Sequence, residues 1–284
     1  MRATRINPLM VLGAALVLLA PTAGGAQPGR GASAPLLLQI SSVAPEKNQR
    51  LSALVSEIRS QADAFVFLSG GASRMQELHQ RQLVAMFQGL RLLVTGGQRI
   101  AVGDGGTQAG IMEAAGQARR DSGYAFPLIG VAPANEIPPI GKTPVDPNHS
   151  HIVAVANPSA PAQDSWGSET DTMYWLFATL AQGRPSVTIV ANGGGITLAE
   201  VEANVRAGRR MILIKDSGRA ADALVSLLEG TRPTEPEVLS LRERAEKAAL
   251  TRRPELFAMV ALQAGAEGLR DAVISAFSPA RRDR

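Results

Sequence analysis

Short continuous apolar runs alternate along this chain with stretches whose apolar residues recur every three or four positions. The runs are Leu36–Ile40, Ala64–Leu68, Arg99–Val102, Phe126–Val131, His151–Val155, Val187–Ala191, Met211–Lys215 and Leu256–Leu262. Most of them do not alternate with polar residues, which predicts strands buried on both faces. Helical spacing fills the intervals. It covers Glu46–Gln61, with Leu51, Leu54, Val55 and Ile58 on one face, then Arg74 to Val94 and Gly110–Arg120. Further on it covers Ser168–Gln182, Ile196–Ala207, Arg219–Glu229, Glu237–Leu250 and Glu267–Phe277. Leu92, Leu93 and Val94 would also suit a strand, but Gly96 and Gly97 supply a helix stop and Arg99–Val102 then supplies the strand. Ser168 stands where it could cap the helix after it, with Asp171 three residues on. Pro133–Pro147 holds five prolines and reads as an extended loop. Strands alternating with helices predict an α/β fold: a Rossmann-like, doubly wound, mainly parallel sheet with helices on both faces. Ligands of such sheets bind beyond the carboxyl ends of the strands.

Three glycine-bearing turns fall at such ends. Val102 leads into Gly103-Asp104-Gly105-Gly106-Thr107, and a helix follows from Gly110. Ala191 leads into Asn192-Gly193-Gly194-Gly195 before a helix carrying Thr197, Glu200 and Glu202. Lys215 leads into Asp216-Ser217-Gly218-Arg219. A glycine turn at a helix start presents backbone N–H groups and a partial positive charge, so it suits an anion. The spacing is that of neither the dinucleotide fingerprint nor the Walker loop. Glu200 and Glu202 are placed to complement a helix N-terminus, to bond a ribose, or to move a proton.

Composition removes several function classes. There is no cysteine, hence no disulfide, thiolate metal site or thiol nucleophile. Three histidines are present; His149 and His151 would share a face of a strand, but they lack a third ligand nearby, so no metal is expected. The net charge of +4 comes from 29 basic residues, scattered and mostly arginine, with aromatics at 4%. That pattern makes no nucleic-acid surface. Arg2 and Arg5, the apolar run Pro8–Ala20 and the small residues Ala23–Ala26 form a secretory signal peptide over 1–26. Residues 27–35 are a linker, and 36–284 one domain, exported to the periplasm or beyond, with no membrane attachment after cleavage.

In their order along the chain these residues resemble the SLOG superfamily of nucleotide-binding Rossmann-like domains. The nearer likeness is to its LSDAT branch, known from the N-terminus of TRPM channels and from bacterial proteins. Gly105-Gly106-Thr107 followed by Gly110-Ile111-Met112 is similar to the branch's glycine turn. Asn148-His149-Ser150-His151-Ile152 resembles its strand start, and Trp166-Gly167-Ser168-Glu169 its aromatic-Gly-x-Glu helix start. Ser217-Gly218-Arg219-Ala220-Ala221-Asp222 resembles its last turn, with Asp216 in place of a glycine. The likeness runs from Ala64 to Phe277.

The resemblance implies a small nucleotide-derived ligand, ADP-ribose or another nucleotide, across the sheet edge, and no resident cofactor. On this basis Gly105, Gly106, Thr107 and Gly110 hold one phosphate, and Gly193, Gly194, Gly195 and Thr197 face its other side. Arg219, in the turn with Ser217 and Gly218, contacts phosphate or else pairs with Asp222. His151, Trp166 and Glu169 meet the base or ribose, or are structural. Three functions stay open: a binding or sensor domain, a hydrolase of N-glycosidic or phosphoribosyl bonds, and an interaction domain that has kept the fold without the ligand. For the hydrolase, the LOG enzymes' Pro-Gly-Gly-x-Gly-Thr-x-x-Glu compares with Asn192–Glu200, where Ile196 replaces a glycine and Glu200 would be the catalytic acid. Relatives often assemble, so a homo-oligomer is also open.

Overall fold

The computed structural model describes residues 34–71, 77–161 and 164–278. The signal peptide, most of the linker and the start of the helix expected from Arg74 lie outside these residues. Chain order is β1 (Leu36–Ser41), α1 (Gln49–Gln61), β2 (Ala64–Gly70), α2 (Glu77–Thr95), β3 (Ile100–Asp104) and α3 (Gly110–Asp121). Then come β4 (Leu128–Pro133), β5 (His151–Ala156), α4 (Thr170–Ala181), β6 (Ser186–Ala191), α5 (Gly195–Arg206) and β7 (Arg210–Lys215). The chain closes with α6 (Arg219–Leu228), α7 (Pro236–Lys247), β8 (Phe257–Ala261) and α8 (Gly265–Phe277).

The strands form one sheet in the order β1-β5-β4-β3-β2-β6-β7-β8. Every pairing is parallel, so the sheet is wholly rather than mainly parallel. Successive β2 residues feed opposite faces. Ala64, Val66 and Leu68 pack under α2, α3 and α8, with Met86, Phe87, Leu90, Ile111 and Leu269. Phe65 and Phe67 pack under α1 and α4, with Leu51, Ile58 and Phe177. A third cluster joins Val190, Met211 and Leu213 to α5, α6 and α7. Two-sided burial explains the uninterrupted apolar runs of the central strands. The edge strands are different: Leu36 of β1 is 60% exposed and Met259 of β8 44% exposed.

Two helix starts depart from expectation. The first helix begins at Gln49 rather than Glu46, because Pro45–Lys47 make a separate turn and Asn48 Oδ1 accepts the Leu51 N–H at 3.1 Å. Ser168 does not cap α4. Its hydroxyl is buried with no hydrogen-bond partner, and Glu169 turns its carboxylate back to accept the Gly167 N–H at 2.8 Å.

From β2 the chain winds through β3 and β4 to β5 on one side, then crosses to β6 on the other side of β2 and continues outward to β8. The winding therefore reverses between β2 and β6, the switch point at whose carboxyl ends sheets of this kind form their crevice. Glycines allow the close approaches there. A Cβ on Gly70 would overlap the Ala191 carbonyl, and one on Gly71 would lie 2.7 Å from Asn192 Oδ1. On β4, Gly130 lies against the Gly106 backbone with room for no side chain, whereas a methyl on Gly105 would meet only Met112 at 3.9 Å. Gly130→Ala should therefore cost about 2 kcal/mol or more in urea unfolding, and Gly105→Ala less than about 0.5 kcal/mol. Equal losses in the two variants would overturn this account of the turn.

Candidate functional site

The turn after β3 is held by a buried charge network. Asp104 Oδ1 accepts the Gly106 N–H at 2.7 Å and meets His149 Nε2 at 2.8 Å. His149 Nδ1 lies 3.2 Å from Asp146 Oδ1, which also accepts the Asn148 N–H. The Asp146 N–H returns to the Gly106 carbonyl, Gln108 N–H goes to Pro144 and Ala109 N–H to Thr107, while buried Thr107 bridges Val145. The N–H groups of Gly106, Gln108 and Ala109 are thus spent within the protein. Helix α3 begins at Gly110, at a φ of 55°, with no side-chain cap.

His149 is fully buried, which by itself would lower its pKa. The charge of Asp104 and the hydrogen bonds it donates to both aspartates outweigh burial and lift it to about 9. It is an imidazolium between two carboxylates. The expected sharing of one strand face by His149 and His151 does not occur, because β5 begins only at His151. His151 bonds Ser150 and lies 3.7 Å from Glu57 of α1, and burial lowers its pKa. It sits three strands from β2 and is not brought to the crevice.

The turns after β6 and β7 are tied to each other. Asn192, at a φ of 54°, donates its N–H to Ser217 Oγ and its side-chain amide to the Ser217 carbonyl, and accepts the Gly193 N–H at 2.6 Å. Thr197 Oγ1 accepts the Gly194 N–H at 3.2 Å. Asp222 accepts the N–H groups of Asp216 and Gly218 and so fixes the last turn. It is not the partner of Arg219. That guanidinium pairs instead with Glu237 of α7 through Nε at 2.9 Å and Nη2 at 2.8 Å. Arg219 Nη2 also stands 3.0 Å from where a Cβ on Gly194 would be, and Arg244 Nη2 2.9 Å from that of Gly195. Two guanidinium groups therefore flank the start of α5. Arg244 carried no signal in the sequence, being one arginine among many on a polar helix face.

Glu169, just before α4, and Glu200, on α5, are both buried. Ser69 of β2 donates its hydroxyl to Glu200 Oε2. Burial raises the Glu200 carboxyl to about 8, with the Ser69 bond opposing and the Glu169 charge adding. Burial also raises Glu169 to about 7, two N–H bonds opposing and Glu136 adding. Tyr174 is pushed well above its usual range by burial and by the Glu200 charge. Above the acids, Trp166 and Ile196 are exposed, at 36% and 45%. Glu136, which accepts the Ser165 N–H and hydroxyl, is a member of this group that no motif marked.

A wholly parallel α/β sheet with strained glycine turns, paired arginines and buried acids at its reversal point is a switch-point protein of the Rossmann-like class. Over residues 63–267 the chain matches the prokaryotic LSDAT family, described as SLOG in TRPM, prokaryote. It belongs to that family. No curated protein matches it.

His149 gives the site a pH signature. Its folded pKa lies above the unfolded value of 6.5, so its contribution to stability is complete below pH 6.5 and lost as pH rises through 9. His149→Gln should lower the melting temperature at pH 6 and flatten the fall between pH 6.5 and 9. An undiminished slope in the variant would show that His149 is neutral in the fold.

Proposed function

We propose that this chain is a binding module for a phosphate-bearing, nucleotide-derived ligand seated in the crevice between the carboxyl ends of β2 and β6. The observation that carries the reading is Arg219. Its backbone lies at a φ of 50°, which costs a long side chain on the order of 1 kcal/mol, yet its guanidinium is fixed at Gly194 by the ion pair to Glu237. Backbone strain is commonly held at binding and catalytic sites, and a guanidinium can bond phosphate bidentately. Asn192 and Asp216 share the same left-handed backbone within the two turns. Exposed Trp166, with Ile196 at the start of α5, offers apolar surface for a base.

Binding is favoured over turnover by Ile196, whose side chain stands where the hydrolase pattern has a glycine for the approaching phosphate. The proposed ligand is met outside the cytoplasm, a location that rests on the charged and apolar pattern of residues 1–26.

Thermal melting of the purified protein with ADP-ribose, NAD, AMP, cyclic nucleotides and ribose phosphate tests the reading. A ligand at 100 times its Kd should stabilise the fold by about 2.7 kcal/mol. Arg219→Gly, which relieves the backbone strain while losing the ion pair, should leave the ligand-free stability within about 1 kcal/mol and abolish the shift. No shift with any ligand would overturn the proposal. Release of free base from the same samples would convert it into a hydrolase, with Glu200 as the acid.

A further inference from the structure

Between α5 and α7 the surface opens into a groove of about 560 Å³, a size within the range of about 300–1,000 Å³ typical of small-molecule sites. Its α5 wall is Gly195, Leu198, Ala199 and Glu202, which recur at the three- and four-residue spacing of one helix face. Opposite stand Arg244 and Lys247, three residues apart on α7, with Leu250 just beyond the helix. At about 100° of rotation per residue, Ile196 and Glu200 point roughly a third of a turn away from that α5 face. None of Thr197, Glu200 and Arg219 lines the groove. It is a different place from the crevice at β2 and β6.

The groove is apolar within and cationic at one side. Leu198 and Leu250 are buried, and Ala199 is exposed between the walls. Glu202 is the one carboxylate in the lining, and it stands 3.7 Å from Arg206. Glu246, next to Lys247 on α7, pairs with Arg242 at 2.9 Å. Among the described residues, neither Arg244 nor Lys247 has a carboxylate within 4 Å, and Asp283 is the one acidic side chain that lies outside them. Exposed cations are ordinary on a surface. These two border a concavity with an apolar floor, and the start of α5 adds its partial positive charge.

We infer that the α5–α7 groove is a second binding site, for a small phosphate monoester with an apolar body. The phosphate meets Arg244 and Lys247, and the body lies over Leu198, Ala199 and Leu250. A guanidinium bonds two phosphate oxygens and the ammonium supplies a second charge, which matches a doubly charged phosphate better than a singly charged carboxylate. This inference does not depend on the function proposed above.

Calorimetric titration of the purified protein with phenyl phosphate at about pH 7.5, where the phosphate carries close to two charges, tests the site. Inorganic phosphate, which lacks the apolar body, and benzoate, which lacks the second charge, are titrated beside it. Phenyl phosphate should bind about five times more tightly than either, and more weakly as salt rises from about 0.05 to 0.5 M. The double change Arg244→Gln, Lys247→Gln should weaken it about tenfold, as should Ala199→Glu, which sets a carboxylate into the groove. All three positions are exposed, so melting temperatures of these variants should match the wild type. Glu202→Gln should strengthen binding about twofold. No binding at millimolar phenyl phosphate, equal affinity for the three probes, or unchanged affinity in both groove variants would overturn the site. Binding that survives Ala199→Glu but is lost in Arg219→Gly would place the probe in the crevice, overturning this inference and leaving the nucleotide reading intact. Groove binding without any nucleotide-dependent melting shift would sustain this site alone.

Discussion

Two neighbouring parallel strands, β2 and β6, run side by side until their backbones leave no room for a side chain. Gly70 and Ala191 are register partners, and the Ala191 carbonyl occupies the space a Cβ on Gly70 would need. This contact sits where the winding of the sheet reverses. Strands on either side are added outward from it, β3 beside β2 and β7 beside β6. A larger residue at Gly70 would force the two strand ends apart and shift the Asn192 turn that follows. The crevice, the start of α5 and the positions of Arg219 and Glu200 all depend on this approach.

The glycine turns at the crevice are already hydrogen-bonded to themselves. Asn192 and Thr197 take the N–H groups of Gly193 and Gly194, and Asp104 takes that of Gly106. Buried backbone donors must be paired, and these loops satisfy them with short polar side chains from the same or a neighbouring turn. The loops are therefore held by their own hydrogen bonds. At the rim stand the guanidinium groups beside the start of α5 and the exposed side chains of Ile196 and Trp166.

Burial acts on the ionisable groups of the two halves in opposite directions. His149 is charged because two carboxylates face it. Glu169 and Glu200 are pushed up to about 7 and about 8 because burial outweighs the hydrogen bonds they accept. The same loss of water that would neutralise each group alone is overruled in one place and prevails in the other. One network locks the turn after β3, and the other joins β2 to α5 through Ser69 and Glu200.

The order of strands and helices, their two-sided burial and the carboxyl-end location of the glycine turns were legible in the sequence. Apolar runs and helical spacing are local consequences of burial, and the period alone distinguishes them. The family motifs were legible as well, since Gly105–Met112 and Ser217–Asp222 keep their residue types in order. Helix ends were less so: Ser168 suited a cap, yet its hydroxyl is buried without a partner and the helix begins at Thr170. The partners of the charged groups could not be read. Arg219 stands close to Asp222 in sequence, yet pairs with Glu237, because Asp222 is needed by the backbone of its own turn. Asp104 meets His149 forty-five positions away, and Ser69 meets Glu200 across 131. A side chain's charge state is set by what surrounds it in space, and in a wound sheet those surroundings come from strands distant in the chain. Sequence determined which residues are buried; tertiary structure decided which of them are charged, and against whom.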